Sequence, residues 1–241
     1  GGRTTDIPPT PSAAWDALTA PNGTGDTPLI AAASRGHAGC CRILLGGADD
    51  VRPEGGAREM LRASNRGGDT PVHVAVGSTD GGGPELLDLL LEFCGVEEGG
   101  SGASLVNERN SNGLTPLLIA CERDRGDVVR SLAGRWGARP IPDANGQSPL
   151  SVAAFCGCER AARELLKLNM GKDLINASDD VGGFTPLWLA ARTGNARMAR
   201  LLLDAGADAT LVNKDGLTPL EAAKKYGKDA VVEELTKSGI S

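Results

Sequence analysis

Asp180-Val-Gly-Gly-Phe-Thr-Pro-Leu-Trp-Leu-Ala-Ala-Arg-Thr-Gly-Asn-Ala-Arg-Met-Ala-Arg-Leu-Leu-Leu-Asp-Ala-Gly-Ala-Asp208 parses as turn, helix, turn, helix, turn. Gly183 lets the chain reverse. Thr185 can cap the first helix through its hydroxyl, and Pro186 stands at the first helical position, where its missing N–H costs nothing. Leu187, Leu189, Ala190 and Ala191 supply a narrow apolar face that ends at Gly194. Met198, Leu201, Leu202 and Leu203 form the apolar side of a second helix, closed by Gly206. Neither helix is long enough to stand alone in water, so the unit must pack on others like itself.

The same anchor recurs outward along the 241 residues: Thr27-Pro28-Leu29, Thr70-Pro71-Val72, Thr115-Pro116-Leu117, Ser148-Pro149-Leu150, Thr185-Pro186-Leu187 and Thr218-Pro219-Leu220. An alanine follows each aliphatic residue three positions on. The anchors lie 43, 45, 33, 37 and 33 residues apart, so a unit of about 33 residues recurs with insertions in its early copies. Such a chain is all-α and built as a stack, each unit packing on its neighbours. Composition agrees: 40% of residues are hydrophobic but only 3% aromatic, which calls for a core of Leu, Ala and Val between closely stacked short helices.

A net charge of -6 argues against binding a phosphate backbone, which needs a clustered positive field. No apolar run approaches the ~20 residues of a spanning helix, and the first residues lack a signal-peptide core. The chain is expected to be intracellular, cytoplasmic or nuclear. In that setting Cys40, Cys41, Cys94, Cys121, Cys156 and Cys158 are expected to be reduced and to fill the core as small apolar residues.

The pattern resembles the ankyrin repeat, whose units run Asp-x-x-Gly-x-Thr-Pro-Leu-His-x-Ala-Ala, then Gly-His, then Leu-Leu-x-x-Gly-Ala-Asp. Matching stops are Gly36-His37, Gly126-Asp127, Gly157-Cys158, Gly194-Asn195 and Gly227-Lys228. Matching ends are Gly47-Ala48-Asp49, Gly137-Ala138 and Gly206-Ala207-Asp208. The resemblance implies an ankyrin-repeat solenoid of helix-turn-helix units with hairpin-like turns. Residues 22–241 are expected to form the array, with units near 22–54, 65–107, 110–141, 143–178, 180–212 and 213–241, and residues 1–21 an N-terminal extension or partial cap. Ala13 to Leu18 would supply a remnant helix there. The departures cluster early: glycine-rich loops at Ser78 to Pro84 and Val96 to Gly102, and an insertion at Asp50 to Gly56 followed by a helical turn over Ala57 to Ala63. The polar second helix of the last unit suits a terminal cap facing water.

Chemistry-bearing residues are sparse. The two histidines, His37 and His73, occupy positions where the resembled repeat itself places histidine to hold a turn. None remains to serve a Ser, Cys or zinc site. Cys156-Gly157-Cys158 spans a helix end and lacks a second ligand pair, so no metal is expected there. Gly81 to Gly83 and Gly99 to Gly102 carry no Gly-Lys-Ser/Thr and read as loops rather than phosphate cradles. No catalytic residue, cofactor or metal is expected, and the chain is not expected to be an enzyme. Trp136, near a second-helix end, is expected to pack.

The resemblance implies instead a protein or peptide partner on the concave face, met by the turn tips and exposed sides of the first helices. Counted from each anchor, those positions include Ser78, Leu114, Arg123, Gln147, Phe155, Phe184, Arg192, Lys225 and Tyr226, with Trp188 beside them. The chain has seven aromatics in all, and aromatics and Arg are favoured interface anchors, so units four to six are the expected site. The expected function is a non-enzymatic interaction module: scaffold, adaptor or assembly subunit. A chain that begins Gly1-Gly2 without an initiator Met leaves an alternative open, a regulatory or inhibitory domain of a larger protein that positions or controls an enzyme or channel.

Overall fold

The computed structural model describes residues 11–46, 56–78, 82–93, 102–168 and 170–239. Gly1-Gly2, the Gly47-Ala48-Asp49 ending, most of the Asp50 to Gly56 insertion, Cys94, residues 79–81 of the first glycine-rich loop and residues 96–101 of the second lie outside them. The described residues form helices without strands. The chain divides into two compact units, Gly1–Ser101 and Gly102–Ser241.

The first unit holds α1 (Pro11–Thr19), α2 (Pro28–Ser34), α3 (Ala38–Gly46), α4 (Gly56–Arg62), α5 (Pro71–Gly77) and α6 (Pro84–Glu92). Inner helix α2 packs on α5 and outer helix α3 on α6, and α4 supplies the extra turn that leans on α5. The second unit holds α7 (Gly102–Leu105), α8 (Pro116–Glu122), α9 (Gly126–Gly134), α10 (Pro149–Cys156), α11 (Glu159–Lys167), α12 (Met170–Leu174), α13 (Pro186–Thr193), α14 (Ala196–Asp204), α15 (Pro219–Lys225) and α16 (Asp229–Lys237). Here α8, α10, α13 and α15 pack as an inner row and α9, α11, α14 and α16 as an outer one, each inner helix also packing on the outer helix that follows it.

The anchors set where each inner helix starts. The hydroxyls of Thr27, Thr115, Ser148, Thr185 and Thr218 each accept the N–H three residues on, at 3.1 to 3.3 Å, satisfying a donor that no helical carbonyl can reach. Thr70 pairs instead with His73, whose Nδ1 lies 2.8 Å from the Thr70 hydroxyl and accepts the Thr70 N–H at 3.3 Å. His73 is thus a buried cap, while His37 is exposed. Behind the caps, Leu29, Val72, Leu117, Leu150, Leu187 and Leu220 are all buried, as are the anchor alanines.

Each hairpin between units is tied by one Asn or Asp. Asn22, Asn65, Asn110, Asp143 and Asn213 accept, on Oδ1, the N–H groups two and four residues ahead at 2.8 to 3.1 Å. This side chain stands in for a backbone turn. In the fifth hairpin the tie is Asp179, not Asp180, and it spans one residue more, taking Gly182 and Phe184. Its Oδ2 is buried without a hydrogen-bond partner among the described residues.

Two expectations need correcting. Gly126 does not end the third inner helix. Asp124 does, at φ 54°, in the left-handed position that Gly36, Gly157, Gly194 and Gly227 fill elsewhere. Its Oδ1 then accepts the Ala161 N–H of α11 at 3.0 Å, a bond glycine could not make. Gly126 is needed for another reason: a Cβ there would lie 2.9 Å from the Arg160 carbonyl oxygen. The cysteines are also not uniformly core. Cys41, Cys121 and Cys158 are buried, but Cys40 and Cys156 are exposed, and these five are free thiols.

Outer helices are cross-linked by charge. Glu164 of α11, only 9% exposed, takes Arg130 of α9 and Lys167 on its two oxygens, each at 2.8 Å. The Arg130 hydrogen bond, then that of Lys167, hold its carboxyl down to about 2. Arg200 of α14 similarly joins Asp204 and Glu234 of α16.

Two outcomes follow from these contacts. Because the folded Glu164 titrates below an unfolded value of about 4.3, its contribution is complete above that pH and is lost as pH falls toward about 2. Glu164→Gln should flatten that part of the curve of urea midpoint against pH. Asp179→Ala removes both accepted bonds and leaves the Gly182 and Phe184 N–H groups without them, so the unfolding free energy should fall by about 2 kcal/mol. An unchanged urea midpoint would mean that the tie carries no weight in the fifth hairpin.

Candidate partner-binding surface

Positions seven and eight past each anchor close the inner helices, and in the second unit they carry Glu122 and Arg123, Phe155 and Cys156, Arg192 and Thr193, Lys225 and Tyr226. Since α8, α10, α13 and α15 pack side by side, these residues form rows across the helices. Arg123, Phe155, Arg192, Lys225 and Tyr226 are exposed, while Leu114, Gln147 and Phe184 are half-buried. Phe155 and Tyr226 expose 45% and 43% of their surface, unusual for large rings and not explained by packing within the chain. In the first unit Ser78, counted among surface positions, is instead buried.

Five of the expected site residues come together. Phe184 stacks on Trp188 at 4.1 Å between centroids and 22° between planes, and Tyr226 meets Trp188 edge-on at 6.4 Å and 83°. The Arg192 guanidinium carbon lies 5.8 Å from the Phe184 ring and 5.9 Å from that of Tyr226, and the Lys225 ammonium lies 6.0 Å from Tyr226. Cation-π contacts of this kind hold a long side chain in place while its N–H groups stay in water. Phe155 stands on α10, one helix away, and is outside this ring cluster.

Trp188 is 2% exposed, so its part in the surface is support from beneath rather than contact. Its Nε1–H donates to the Leu217 carbonyl of the next hairpin at 3.1 Å, and it packs with Leu189 and Ala222. One indole therefore fixes the fifth inner helix, the sixth hairpin and the rings above. Trp136 is half-buried with the Arg135 guanidinium 4.9 Å from its ring.

The cysteines offer little nucleophilic chemistry. Burial, ahead of their neighbours' charges, pushes Cys158 up to about 11, and it raises Cys121 and Cys156 as well. At neutral pH these remain thiols, and Cys158 donates to the Glu122 carbonyl at 3.4 Å. Among the described residues no group of His, Cys, Asp and Glu is arranged to hold a metal ion. None of their helices is long and apolar enough to cross a membrane.

A family model for ankyrin repeats, in three copies, matches residues 12–99, 78–176 and 167–241. The chain belongs to the ankyrin-repeat family. Ankyrin repeat domain-containing protein 63 from Homo sapiens is 35% identical over 100 residues, 42% of this chain and 24% of that protein. Tyrosine-protein kinase HTK16 from Hydra vulgaris is 32% identical over 95 residues, 39% of this chain and 11% of the kinase. The matched regions thus span a quarter or less of these curated relatives. Among solved structures, the ankyrin repeat domain of Bcl-3 aligns with a TM-score of 0.71 at 26% identity, covering 90% of this chain and 88% of that one. A chain in the complex of the predatory endopeptidase Bd0816 from Bdellovibrio bacteriovorus with immunity protein Bd3460 gives 0.68 at 26%, covering 88% and 98%. The fold is that of an ankyrin-repeat solenoid.

If Trp188 carries the surface, Trp188→Phe should cost about 2–3 kcal/mol for the lost N–H bond and the space left by the smaller ring, and Trp188→Ala about 3–5 kcal/mol. Urea denaturation followed by circular dichroism measures both. Equal stability of wild type and Trp188→Phe would mean that neither the bond to Leu217 nor the packing of the larger ring carries weight.

Proposed function

We propose that this ankyrin-repeat chain is a non-enzymatic protein-protein interaction module, a scaffold, adaptor or assembly subunit, that binds its partner on the inner-helix and turn-tip face of the late repeats. The observation that carries the reading is the cluster of Phe184, Arg192, Lys225 and Tyr226 at the surface over a buried Trp188. Its rings and guanidinium are the side chains that concentrate binding energy at interfaces, and their mutual contacts lower the entropy lost on binding. The matched chain in the Bd0816–Bd3460 complex supports the general use, since a chain of this fold sits there with a protein partner. An array with units near 22–54, 65–107, 110–141, 143–178, 180–212 and 213–241, preceded by an extension at 1–21, fits this role. So does an intracellular setting, where the free thiols would stay reduced.

A second reading is a regulatory or inhibitory domain of a larger protein that positions or controls an enzyme. It is favoured by the match to HTK16, a tyrosine kinase of which the matched repeats are a small part.

Replacing Phe184 and Arg192 together by Ala tests the first reading. Quantitative pull-down from cell extract should lose the specific partners of the wild type, while circular dichroism and melting temperature show the chain folded. Unchanged capture by a folded double variant would remove the assignment.

A further inference from the structure

The seventh position past the anchors reads Glu122, Phe155, Arg192, Lys225 along α8, α10, α13 and α15: acid, ring, base, base on four adjacent helices. All four side chains are exposed. Arg192 and Lys225 have no carboxylate partner among the described residues, and on the outer helices Arg130, Arg163 and Arg200 are paired while Arg160 and Arg197 are not. Glu221, one turn before Lys225, is already committed to the Thr218 cap, its Oε2 accepting both the backbone N–H and the hydroxyl at 2.8 Å. In a chain of net charge -6, two unmatched cations held over aromatic rings are a surplus at one place.

Resting on the reading of this face as the partner surface, we infer that the row takes an extended acidic segment of a partner protein, with carboxylates on Arg192 and Lys225 and an apolar side chain on Phe155. Spacing sets its pattern. Packed helices lie about 8–10 Å apart, and a polyproline-II chain rises about 3.1 Å per residue with three residues per turn. Side chains three residues apart therefore meet successive helices, giving apolar-x-x-acid-x-x-acid in one chain direction or the other. Glu122 repels a further acid at the α8 end, which fixes the acidic half over α13 and α15. A phosphate would call for several donors gathered on one group, whereas Arg192 and Lys225 stand on separate helices, as separate carboxylates require; α15 also carries Lys224 beside Lys225.

A phage-displayed random peptide library, panned on the full chain, tests this. Enriched peptides should carry two Asp or Glu residues three apart, with Leu, Met or an aromatic residue three positions from one of them. A fluorescein-labelled peptide of that pattern should weaken about tenfold on Arg192→Gln, less on Lys225→Gln, and steadily with added salt. Arg192→Glu should regain binding to the peptide whose matching acid is replaced by Lys. Melting curves of each variant confirm folding, and Arg192→Lys, which keeps the charge, should retain much of the affinity. Enrichment of peptides without acids, no enrichment, or affinity unchanged in both Gln variants overturns the inference. Non-acidic peptides that lose binding on Phe184→Ala would leave the partner surface standing and remove only its charge preference. Peptides indifferent to both Phe184→Ala and Arg192→Gln would remove both.

Discussion

A helix of seven or eight residues cannot hold itself in water, and every inner helix of this chain is that short. Within each unit, each persists because its Leu and Ala face is buried against a neighbouring inner helix and the outer helix that follows it. Everything else serves that packing. The Thr/Ser caps and Pro at the first position define where each short helix begins, and the Asn or Asp in each hairpin delivers the chain to the next anchor at the right angle. Cross-links such as Asp124 to Ala161 and Glu164 to Arg130 then join neighbouring repeats through polar groups that would otherwise lose water without replacement.

The repeat was legible because its signals are local. Thr185 caps Trp188 and Gly194 ends the helix for reasons contained within a few residues, and six copies made the reading redundant. The hairpin tie was equally local, an Asn or Asp five residues before most anchors, and was visible in the sequence as a recurring polar residue without an assigned task. The fifth hairpin breaks that spacing, since the one-residue-longer turn puts Asp179 in the role of Asp180. Asp124 escaped for a related reason: the nearest glycine was read as the helix stop, although counting from Thr115 places Asp124 at the left-handed position.

The surface was legible in its members but not in its depth. Arg192, Lys225 and Tyr226 follow from counting positions on a helix end. The burial of Trp188 depends on Phe184 stacking over it and on Leu217, 29 residues later, accepting its N–H. No local pattern encodes that. Phe155 shows the converse, since its position in the row was readable but only the folded neighbours reveal how much of its ring stays in water.

The indole bond to Leu217 means that the ring cluster is assembled from two neighbouring repeats. Neighbouring repeats of such arrays are joined by an interface that can open while the rest stays folded. Whenever α15 and α16 detach, Tyr226 and Lys225 leave the cluster and Trp188 loses its acceptor. The cluster therefore exists only in the fraction of molecules in which these two repeats stay joined, and an occupant spanning both would act as a clasp on them. Affinity there and separation of the two repeats become two readings of one equilibrium.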